Sequence, residues 1–426
     1  MLTKEKNDLL TQTGPGTPMG EVFRCYWIPA LLAEELGAPD CPPVRVELLS
    51  EKLIAFRDTQ GRLGLMDRHC AHRQVSLWFG RNEENGLRCP YHGWKFDVTG
   101  QCVDVPSEEP AFCRKIRLKA YPLVEKGGIL WAYMGDPDKR PPLPEFEFAN
   151  VEPEQRFISK RFQECNWLQA MEGGIDSSHV SFLHSMNLDS DPLFKGARGN
   201  KYNLSDMKPV FEVVDNPGGL LIGARRVAED DQYYWRITPW IMPSFTMVPP
   251  RGDHPVHGHF WIPINDENCW AWSFDYKSQR DLTADERQAM KDGLGIHCKY
   301  VPGTFIPLAN KSNDYLMNRE AQRKGITYSG IEGIAIQDAS LQESMGPICD
   351  RTNEKLAPTD KGIMMARRMI FKAISNLQEK GELPPGVDPE QHKIRSASVL
   401  LPRDQHYKDA AKDALRVRPG EPHASV

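Results

Sequence analysis

Two short loops, residues 70–72 and 89–92, each contribute one cysteine and one histidine, and sixteen residues separate them. Four such ligands hold either a structural zinc ion or a two-iron cluster in which two histidines replace two thiolates on one iron. Zinc fingers usually pair Cys with Cys and His with His, and they place the second pair on a helix. Here each loop mixes the two residue types and follows a strand-like segment. This order favours the cluster, with Cys70 and Cys89 on one iron and His72 and His92 on the other.

A second group of chemically active residues, Asp176, His179 and His184, lies within the stretch 166–184. In a helix, Asp176 and His179 share a face, whereas His184 lies about half a turn off that face. Both imidazoles therefore reach one metal ion only if the helix bends or ends between them. With a carboxylate from elsewhere, they would form the facial set of ligands that holds non-haem Fe(II) and leaves positions open for O₂. The alternative is a buried helix whose histidines only form hydrogen bonds. The spacing alone favours that alternative, and the loops upstream reverse the preference.

Composition excludes several classes of protein. A chain of 426 residues suits two or three domains, and its net charge of −5 gives no indication of nucleic-acid binding. The amino terminus lacks the apolar core of a signal peptide, and no run of eighteen apolar residues predicts a membrane span. The ten cysteines are scattered, which favours a reducing cytoplasm over a disulfide framework. Outside the two loops they are interpreted as small buried residues or inert thiols: Cys25, Cys41, Cys102, Cys113, Cys165, Cys269, Cys298 and Cys349.

The first third of the chain reads as short strands separated by turns. From Cys25 to about Tyr133, runs of alternating apolar residues indicate a small β-sandwich or barrel. The glycines of segment 14–20 are interpreted as a loop and not as a nucleotide-binding motif, because no strand precedes them. The proline-rich segment 135–144 is the best candidate for a domain boundary.

The remainder of the chain mixes strands and helices. A strand over 156–162, antiparallel strands over 200–275 and a helix over 359–380 are expected from the apolar periodicity. The tail after Gly381, rich in proline and charge, is expected to be surface loop or partly disordered. The predicted class is therefore α+β, with one domain over residues 1–145 and a second over 146–426.

Together, the two metal motifs resemble those of the oxygenase component of Rieske non-haem iron oxygenases. The resemblance rests on Cys-x-His and Cys-x-x-His followed by Asp-x-x-His-x-x-x-x-His, in this order and at this separation. It runs over most of the chain, and residues 14–31 and 342–348 are similar to the phthalate dioxygenase branch, whose members are homo-oligomers of one α-type subunit. It implies an N-terminal all-β Rieske domain with an N-terminal extension. A helix-grip catalytic domain, in which a long helix lies across an antiparallel sheet, and a C-terminal tail would follow.

The same resemblance implies roles for individual residues. The cysteine and histidine of each loop match the cluster ligands, and His179 and His184 match the histidines of the mononuclear iron. Asp176 matches the acid that links an iron histidine to a cluster histidine of the neighbouring subunit, and metal-bound imidazoles commonly have such carboxylate partners. The family's third iron ligand is a carboxylate far downstream. Asp338 fits it best and Glu343 is the runner-up, whereas a helix N-cap is the structural alternative for Asp338.

The arginines of the strand region are candidates for substrate contacts. A two-residue turn at Asp230-Asp231 would set Arg225 directly opposite Arg236 on one face of the sheet. Like charges in this position are unfavourable unless an anion neutralises them, and an aromatic carboxylate would do so. The alternatives are a nearby acid or a different register; Lys208 and Arg251 are weaker candidates for the same role. No metal site is expected at a further group of histidines, which no carboxylate or thiol accompanies: His254, His257 and His259.

Three functions follow as hypotheses. The first is O₂-dependent dihydroxylation of an aromatic carboxylate such as phthalate or a substituted benzoate. The second is a monooxygenase or O-demethylase of a methoxy-aromatic acid, and the third is a non-catalytic zinc protein. For the first two, the resemblance implies a [2Fe-2S] cluster, a mononuclear Fe(II) and O₂ as co-substrate. Because no nucleotide motif is found, electrons are expected from a separate reductase, and the resemblance implies that this partner carries FMN and a ferredoxin-type cluster and oxidises NADH. The resemblance, in which the Asp176 link crosses between subunits, implies a homotrimer or homohexamer.

Overall fold

The computed structural model describes all 426 residues, and the chain folds as two compact units. The smaller unit is Thr13–Pro141, and the larger combines Met1–Gln12 with Pro142–Val426. The change of unit falls inside the proline-rich segment that the sequence indicated. The first twelve residues do not follow the expected division into 1–145 and 146–426, because Met1–Gln12 belongs to the larger unit. Helix α1 (Lys4–Thr11) belongs to the larger unit, where Asn7 Nδ2 donates to the Cys349 carbonyl oxygen at 3.1 Å.

Three antiparallel sheets build the smaller unit, with strand orders β1-β11-β10, β2-β3-β4-β9 and β5-β6-β7-β8. The strands are β1 (Trp27–Leu32), β2 (Val44–Leu48), β3 (Glu51–Arg57), β4 (Leu63–Asp67), β5 (Arg81–Glu83), β6 (Gly86–Arg88), β7 (Lys95–Phe96), β8 (Cys102–Asp104), β9 (Ala120–Tyr121), β10 (Leu123–Lys126) and β11 (Ile129–Tyr133). Two short helices accompany them, α2 (Pro18–Arg24) and α3 (Pro110–Cys113). The expected loop over 14–20 was wrong in its second half, because Thr17 caps α2 by accepting from the Gly20 N–H at 3.2 Å.

An eight-stranded antiparallel sheet organises the larger unit, in the order β12-β18-β17-β16-β15-β14-β13, with β19 paired to β15. The strands are β12 (Arg156–Gln163), β13 (Val210–Asn216), β14 (Gly219–Val227), β15 (Gln232–Ile241), β16 (Phe245–Met247), β17 (Val256–Pro263), β18 (Cys269–Tyr276) and β19 (Ala397–Pro402). The helices are α4 (Glu147–Asn150), α5 (Trp167–Ile175), α6 (Gly199–Ser205), α7 (Ala284–Lys291), α8 (Arg319–Arg323), α9 (Ile334–Ser344), α10 (Lys361–Lys380) and α11 (Tyr407–Ala410). None of the helices combines the length and the apolar character needed to cross a membrane.

The long helix expected over 359–380 is α10, which packs against β13 and β14 through one apolar stripe. Because this helix lies on an antiparallel sheet and the other unit is built mainly of strands, the predicted α+β class is confirmed. The expectation of a loop-like tail was wrong in part. A short apolar run forms β19, which pairs with β15 from Ala397 to Pro402. Proline and charged residues on both sides of this run obscure it in the sequence.

Helix α5 leads into the stretch that carries the second metal motif, and it packs closely on β17 and α9. Two glycines permit this approach, since a Cβ at Gly174 would lie 1.9 Å from a ring atom of Trp261 and one at Gly173 would lie 2.3 Å from Gln342 Nε2. On another side, buried Glu172 accepts from Arg351 at 2.8 Å and from Arg367 of α10 at 2.6 Å. Breaking such a buried pair is costly, so α5 is firmly positioned.

Candidate active site and cluster site

The four residues of the two upstream loops converge in the smaller unit. Cys70 and Cys89 are buried, whereas His72 and His92 are exposed, and the two imidazole rings lie 4.5 Å apart, centroid to centroid. Each loop is closed by its own backbone, with the Cys70 N–H donating to Val75 O and the Cys89 N–H donating to Trp94 O, both at 2.8 Å.

This donor set fits a two-iron cluster with one thiolate-bound and one imidazole-bound iron. Burial and the adjacent Cys89 raise the pKa of the Cys70 thiol to about 11. A bound metal would have to displace that proton. The exposed imidazoles place one side of the site at the surface of the unit, where another protein can approach it.

The second motif forms a centre in the larger unit. Helix α5 ends at Ile175, Asp176 is its C-cap, and a short 3₁₀ turn begins at His179. Because the helix ends before either histidine, the two rings are free to turn toward each other. Asp338, on α9, completes the group and lies inside that helix, so its alternative as an N-cap is wrong.

The ligand atoms of the three residues lie close enough for one ion. His179 Nε2 and His184 Nε2 are 3.2 Å apart, and Asp338 Oδ1 lies 3.1 Å from His184 Nε2 and 3.6 Å from His179 Nε2. Neighbouring octahedral ligands about 2.1 Å from a metal are separated by about 3 Å, so the arrangement fits a two-histidine, one-carboxylate iron site. Burial disfavours the charged form of Asp338, but attraction to the two histidines outweighs it and lowers the pKa of the carboxyl to about 2.

The remaining ring nitrogens fix the orientation of both imidazoles. His184 Nδ1 lies 2.8 Å from Gln337 Oε1, and His179 Nδ1 lies 3.3 Å from Asp176 Oδ2. Both partner atoms accept hydrogen bonds, so each Nδ1 carries the proton and each Nε2 lone pair points to the centre. Gln337 is itself fixed, because its Nε2 donates to Asn187 Oδ1 at 2.9 Å and to Ile331 O at 2.8 Å. Gln337 was not predicted from the sequence, because its contact with His184 forms only when α9 packs near the end of α5.

A pocket opens beside this centre and carries an excess of positive charge. Its acidic lining residues are Asp176 and Asp338, which already face the histidines. Besides His179 and His184, its cationic and imidazole residues are Arg161, Arg236, Arg251, His257 and His259, and its apolar residues include Ile175, Val180, Leu188, Phe194, Val248, Trp261, Ile296 and Ile334. The two sheet histidines were dismissed as metal ligands from the sequence, and they instead line this pocket.

Arg236 is the cation with the fewest protein partners in this lining. Its side chain is 2% exposed, and its Nε and Nη1 make no hydrogen bond to the protein. Arg251 Nη1 donates only to the neutral amide oxygen of Asn200, at 2.8 Å. Burial and the neighbouring Arg236 lower the pKa of Arg251 to about 9. Buried guanidinium groups without an acid are unfavourable, so the pocket is suited to an anion.

Two other candidates from the sequence lie away from the pocket. Arg225 pairs with Trp235, while Ala224 pairs with Arg236, so the expected register was wrong by one residue. The turn between β14 and β15 is closed by the Ala228 N–H, which donates to Gln232 O, and it therefore contains three residues instead of the expected two. A shift of one residue in register turns a side chain to the opposite face of the sheet. Arg225 Nε therefore faces Glu212 Oε1 at 2.9 Å. Lys208 is exposed and does not line the pocket.

Glu343, the alternative third ligand, is bound elsewhere. Its Oε1 accepts from the Glu164 N–H at 3.1 Å, and its Oε2 accepts from the Tyr315 hydroxyl at 2.6 Å. It stands almost one and a half helical turns beyond Asp338 on α9, and it is not part of the group formed with the two histidines. The choice of Asp338 stays a prediction, with this geometry in its favour.

Comparison with known families agrees with what the two sites indicate. Residues 26–122 match the family described as Rieske [2Fe-2S] domain, and residues 132–415 match the family described as LigXa C-terminal domain like. The combination defines the class of Rieske non-haem iron oxygenases. The structure of dicamba monooxygenase bound to dicamba has the same fold, with a TM-score of 0.58 at 19% identity, covering 83% of this chain and 98% of that one.

Three relatives align over nearly the whole chain. The 3-chlorobenzoate-3,4-dioxygenase oxygenase subunit of Comamonas testosteroni is 39% identical over 97% of this chain and 98% of its own length. The phthalate 4,5-dioxygenase oxygenase subunit of Pseudomonas putida is 35% identical over 96% and 94%. The 5,5'-dehydrodivanillate O-demethylase oxygenase subunit of Sphingobium sp. (strain NBRC 103272 / SYK-6) is 31% identical over 97% and 89%. The chain belongs to the Rieske oxygenases, as an oxygenase α subunit of the phthalate dioxygenase branch.

Membership of this family establishes the chemistry at a coarse level. The chain is an oxidoreductase with a Rieske cluster and a mononuclear iron, and it uses O₂. It is the oxygenase component of a multicomponent system that needs a separate reductase. The alternative of a non-catalytic zinc protein is left without support.

Proposed function

We propose that this oxygenase acts on an aromatic carboxylate, such as a phthalate or a substituted benzoate, and that dihydroxylation in aromatic catabolism is its reaction. The observation that carries the proposal is the buried, incompletely bonded guanidinium of Arg236 in the pocket beside Asp338. A carboxylate would accept forked hydrogen bonds from Arg236, and the apolar wall of the pocket would contact the ring. The charged group would thereby fix which ring edge faces the metal centre.

Replacing Arg236 by alanine is expected to raise the KM for an aromatic carboxylate about 10- to 160-fold. The loss of a charge-assisted hydrogen bond costs about 1.5–3 kcal/mol, which corresponds to that range. Steady-state kinetics with the separate reductase measure the effect. Arg225→Ala is the matched control, because Arg225 faces Glu212 on the other side of the sheet and its loss should leave KM unchanged. Equal KM values for wild type and Arg236→Ala would remove Arg236 from the substrate site.

We assign the cluster to Cys70, Cys89, His72 and His92, and the mononuclear Fe(II) to His179, His184 and Asp338. When bound, the Fe(II) supplies activation of O₂ and the cluster supplies electrons one at a time. The protein groups around them orient the ligands. Asp176 and Gln337 hold the Nδ1 protons of the two iron histidines and keep each Nε2 available as a ligand.

Gln337→Leu is expected to lower the affinity of the mononuclear site for Fe(II) about 10- to 100-fold, the usual effect of losing a partner of a metal-bound histidine. Leucine keeps the bulk of the side chain but leaves the Nδ1–H of buried His184 without an acceptor. Titration of metal-depleted protein with Fe(II) measures the affinity, and the visible spectrum of the cluster should not change. Gln342→Leu on the same helix is the control, since Gln342 Oε1 accepts from Gln163 and not from a histidine. Similar affinities for both variants would contradict the role of Gln337.

We further propose that Asp176 bridges His179 to His92 of a neighbouring subunit, which makes a homotrimer or a pair of trimers the active form. Asp176 supports this role because its side chain remains 22% exposed while it contacts His179. On the smaller unit, His92 and the adjacent Tyr91 are exposed, and Tyr91 has 52% of its surface open. The expected electron donor is a reductase with FMN and a ferredoxin-type cluster, oxidising NADH, in the cytoplasm.

O-demethylation of a methoxy-aromatic acid is the second candidate, and the resemblance to the dehydrodivanillate O-demethylase subunit favours it. The same residues serve both reactions, so the products distinguish them. With ¹⁸O₂ and a panel of aromatic acids, dihydroxylation gives a diol that carries two labelled atoms. Demethylation instead releases formaldehyde. Substrate-stimulated O₂ uptake across the panel would first identify which acids bind productively.

A further inference from the structure

The proposed oxygenation consumes protons inside a largely apolar pocket. One aromatic double bond, O₂, two electrons and two protons give one cis-diol, and demethylation likewise uses two protons while releasing formaldehyde and water. The pocket acids, Asp176 and Asp338, are held by the iron histidines. These two acids are therefore not free to supply protons, and a row of polar side chains on the same face of the sheet leads to the pocket.

The outer end of this row is a Ser–His–Asp group that the metal chemistry does not use. Ser159 Oγ lies 2.6 Å from His297 Nδ1, and His297 Nε2 lies 2.8 Å from Asp275 Oδ2. His297 and Asp275 are buried, and burial raises the pKa of Asp275. Because Asp275 accepts from His297 Nε2–H, Nδ1 is the free base and accepts the hydroxyl proton of Ser159. This geometry allows His297 to take up a proton from Ser159 and return it.

The inner end of the row reaches the pocket. Ser273 Oγ lies 3.2 Å from His259 Nδ1 and 3.3 Å from the Ile296 carbonyl oxygen, which competes for the hydroxyl proton, and His259 lines the pocket. Ser159 stands directly opposite Ser273 in the β12–β18 pair, and Ser273 stands directly opposite His259 in the β17–β18 pair. Directly opposed side chains have Cβ atoms about 4.5–5.5 Å apart, so a single water can bridge the two hydroxyl groups.

The outer end of the row lies at the edge of the sheet. β12 is the edge strand of the sheet, and Ser159 on it is partly exposed, whereas Ser273 and His297 are almost fully buried. We infer that Ser159, Ser273 and His259 relay protons from the β12 edge to the pocket. The His297–Asp275 pair, which contacts Ser159, can hold one proton beside this path. At each hop one group accepts a proton on one side and releases one on the other, so no net charge stays behind.

Ser159→Ala and Ser159→Thr test this path, since alanine removes the hydroxyl and threonine keeps it on a strand that accommodates it. In the iron-loaded protein with its reductase, Ser159→Ala should lower kcat at least about tenfold with KM unchanged. It should also raise the solvent deuterium isotope effect and divert O₂ to peroxide, and a small acid such as imidazolium should restore part of the rate. Ser159→Thr should behave as wild type. Identical rates, isotope effects and peroxide yields for both variants would overturn the relay.

The relay rests on the proposed oxygenation. A second experiment therefore measures proton exchange in the absence of catalytic turnover. In metal-depleted protein labelled with ¹⁵N-histidine, the exchange of imidazole N–H protons with solvent is measured by NMR. Ser159→Ala should slow exchange at both His297 and His259, whereas Ser159→Thr should not. Slowing at His297 alone would break the link to the pocket and overturn the proposal. Because this measurement needs no substrate, a failure of the proposed substrate class leaves its result unaffected.

Discussion

Asp176→Asn is expected to slow product formation about 100-fold, even when the cluster is intact and excess Fe(II) keeps the mononuclear site filled. Both carboxylate oxygens of Asp176 act as acceptors: Oδ1 receives the Ser178 N–H at 2.7 Å, and Oδ2 faces the N–H and the Nδ1 of His179, each at 3.3 Å. Asparagine offers only one acceptor. Either the backbone contact or the imidazole contact must then meet an NH₂ group, and the negative charge beside His179 is lost as well.

The measurement is a single-turnover experiment in which the reduced cluster is mixed with substrate and O₂. In Asp176→Asn, reoxidation of the cluster should slow together with product formation, while iron and sulfide contents match those of the wild type. Asp314→Asn is a control for the loss of one negative charge, because exposed Asp314 lines a groove that also contains His179. Asp314 has a φ of +50°, which asparagine adopts readily, so the substitution should not disturb the backbone. Near-normal reoxidation in Asp176→Asn would remove this acid from the electron path.

Mixed oligomers decide whether the bridge joins two subunits. Asp176→Asn and His92→Ala subunits are each expected to be nearly inactive as pure oligomers. If the bridge crosses subunits, a randomly mixed ring should recover about a quarter of the wild-type activity, because about one neighbouring pair in four combines an intact His92 with an intact Asp176. A bridge inside one subunit would give no recovery.

The metal motifs were readable from the sequence because ligand chemistry restricts both residue type and spacing. Asp338 could be proposed only from family resemblance, since its carboxylate lies 3.1 Å from His184 but more than 150 positions away along the chain. The spacing of His179 and His184 predicted that the helix bends or ends between them, and the structure ends the helix even earlier. Helix α5 ends before both residues, and Asp176 terminates it.

The side chains that line the pocket were harder to predict, because an error of one residue in the strand register places a side chain on the opposite face of the sheet. One extra residue in the turn after Val227 moves Arg225 away from Arg236, and the sequence of a polar turn does not specify its length. Gln337 was missed for a different reason. Its role depends on an amide oxygen that meets His184 only after α9 has packed against the end of α5. Partners of this kind are tertiary, and no local pattern encodes them.

Asp338→Ala is expected to lower Fe(II) affinity at the mononuclear site by more than about 100-fold, a larger loss than that expected for Gln337→Leu. The pKa of Asp338 is lowered to about 2, so at neutral pH the residue supplies a negative charge and an oxygen ligand. Alanine leaves two neutral imidazoles, which neither neutralise the ion nor complete the facial set. Non-cluster iron per subunit, measured after gel filtration, should fall close to zero while the cluster spectrum persists.

Glu343→Gln on the same helix is the matched control, because Glu343 bonds to Tyr315 and Glu164, and it should retain the iron. Iron retained in Asp338→Ala but lost in Glu343→Gln would transfer the ligand role to Glu343, and the site would then need a different packing of α9.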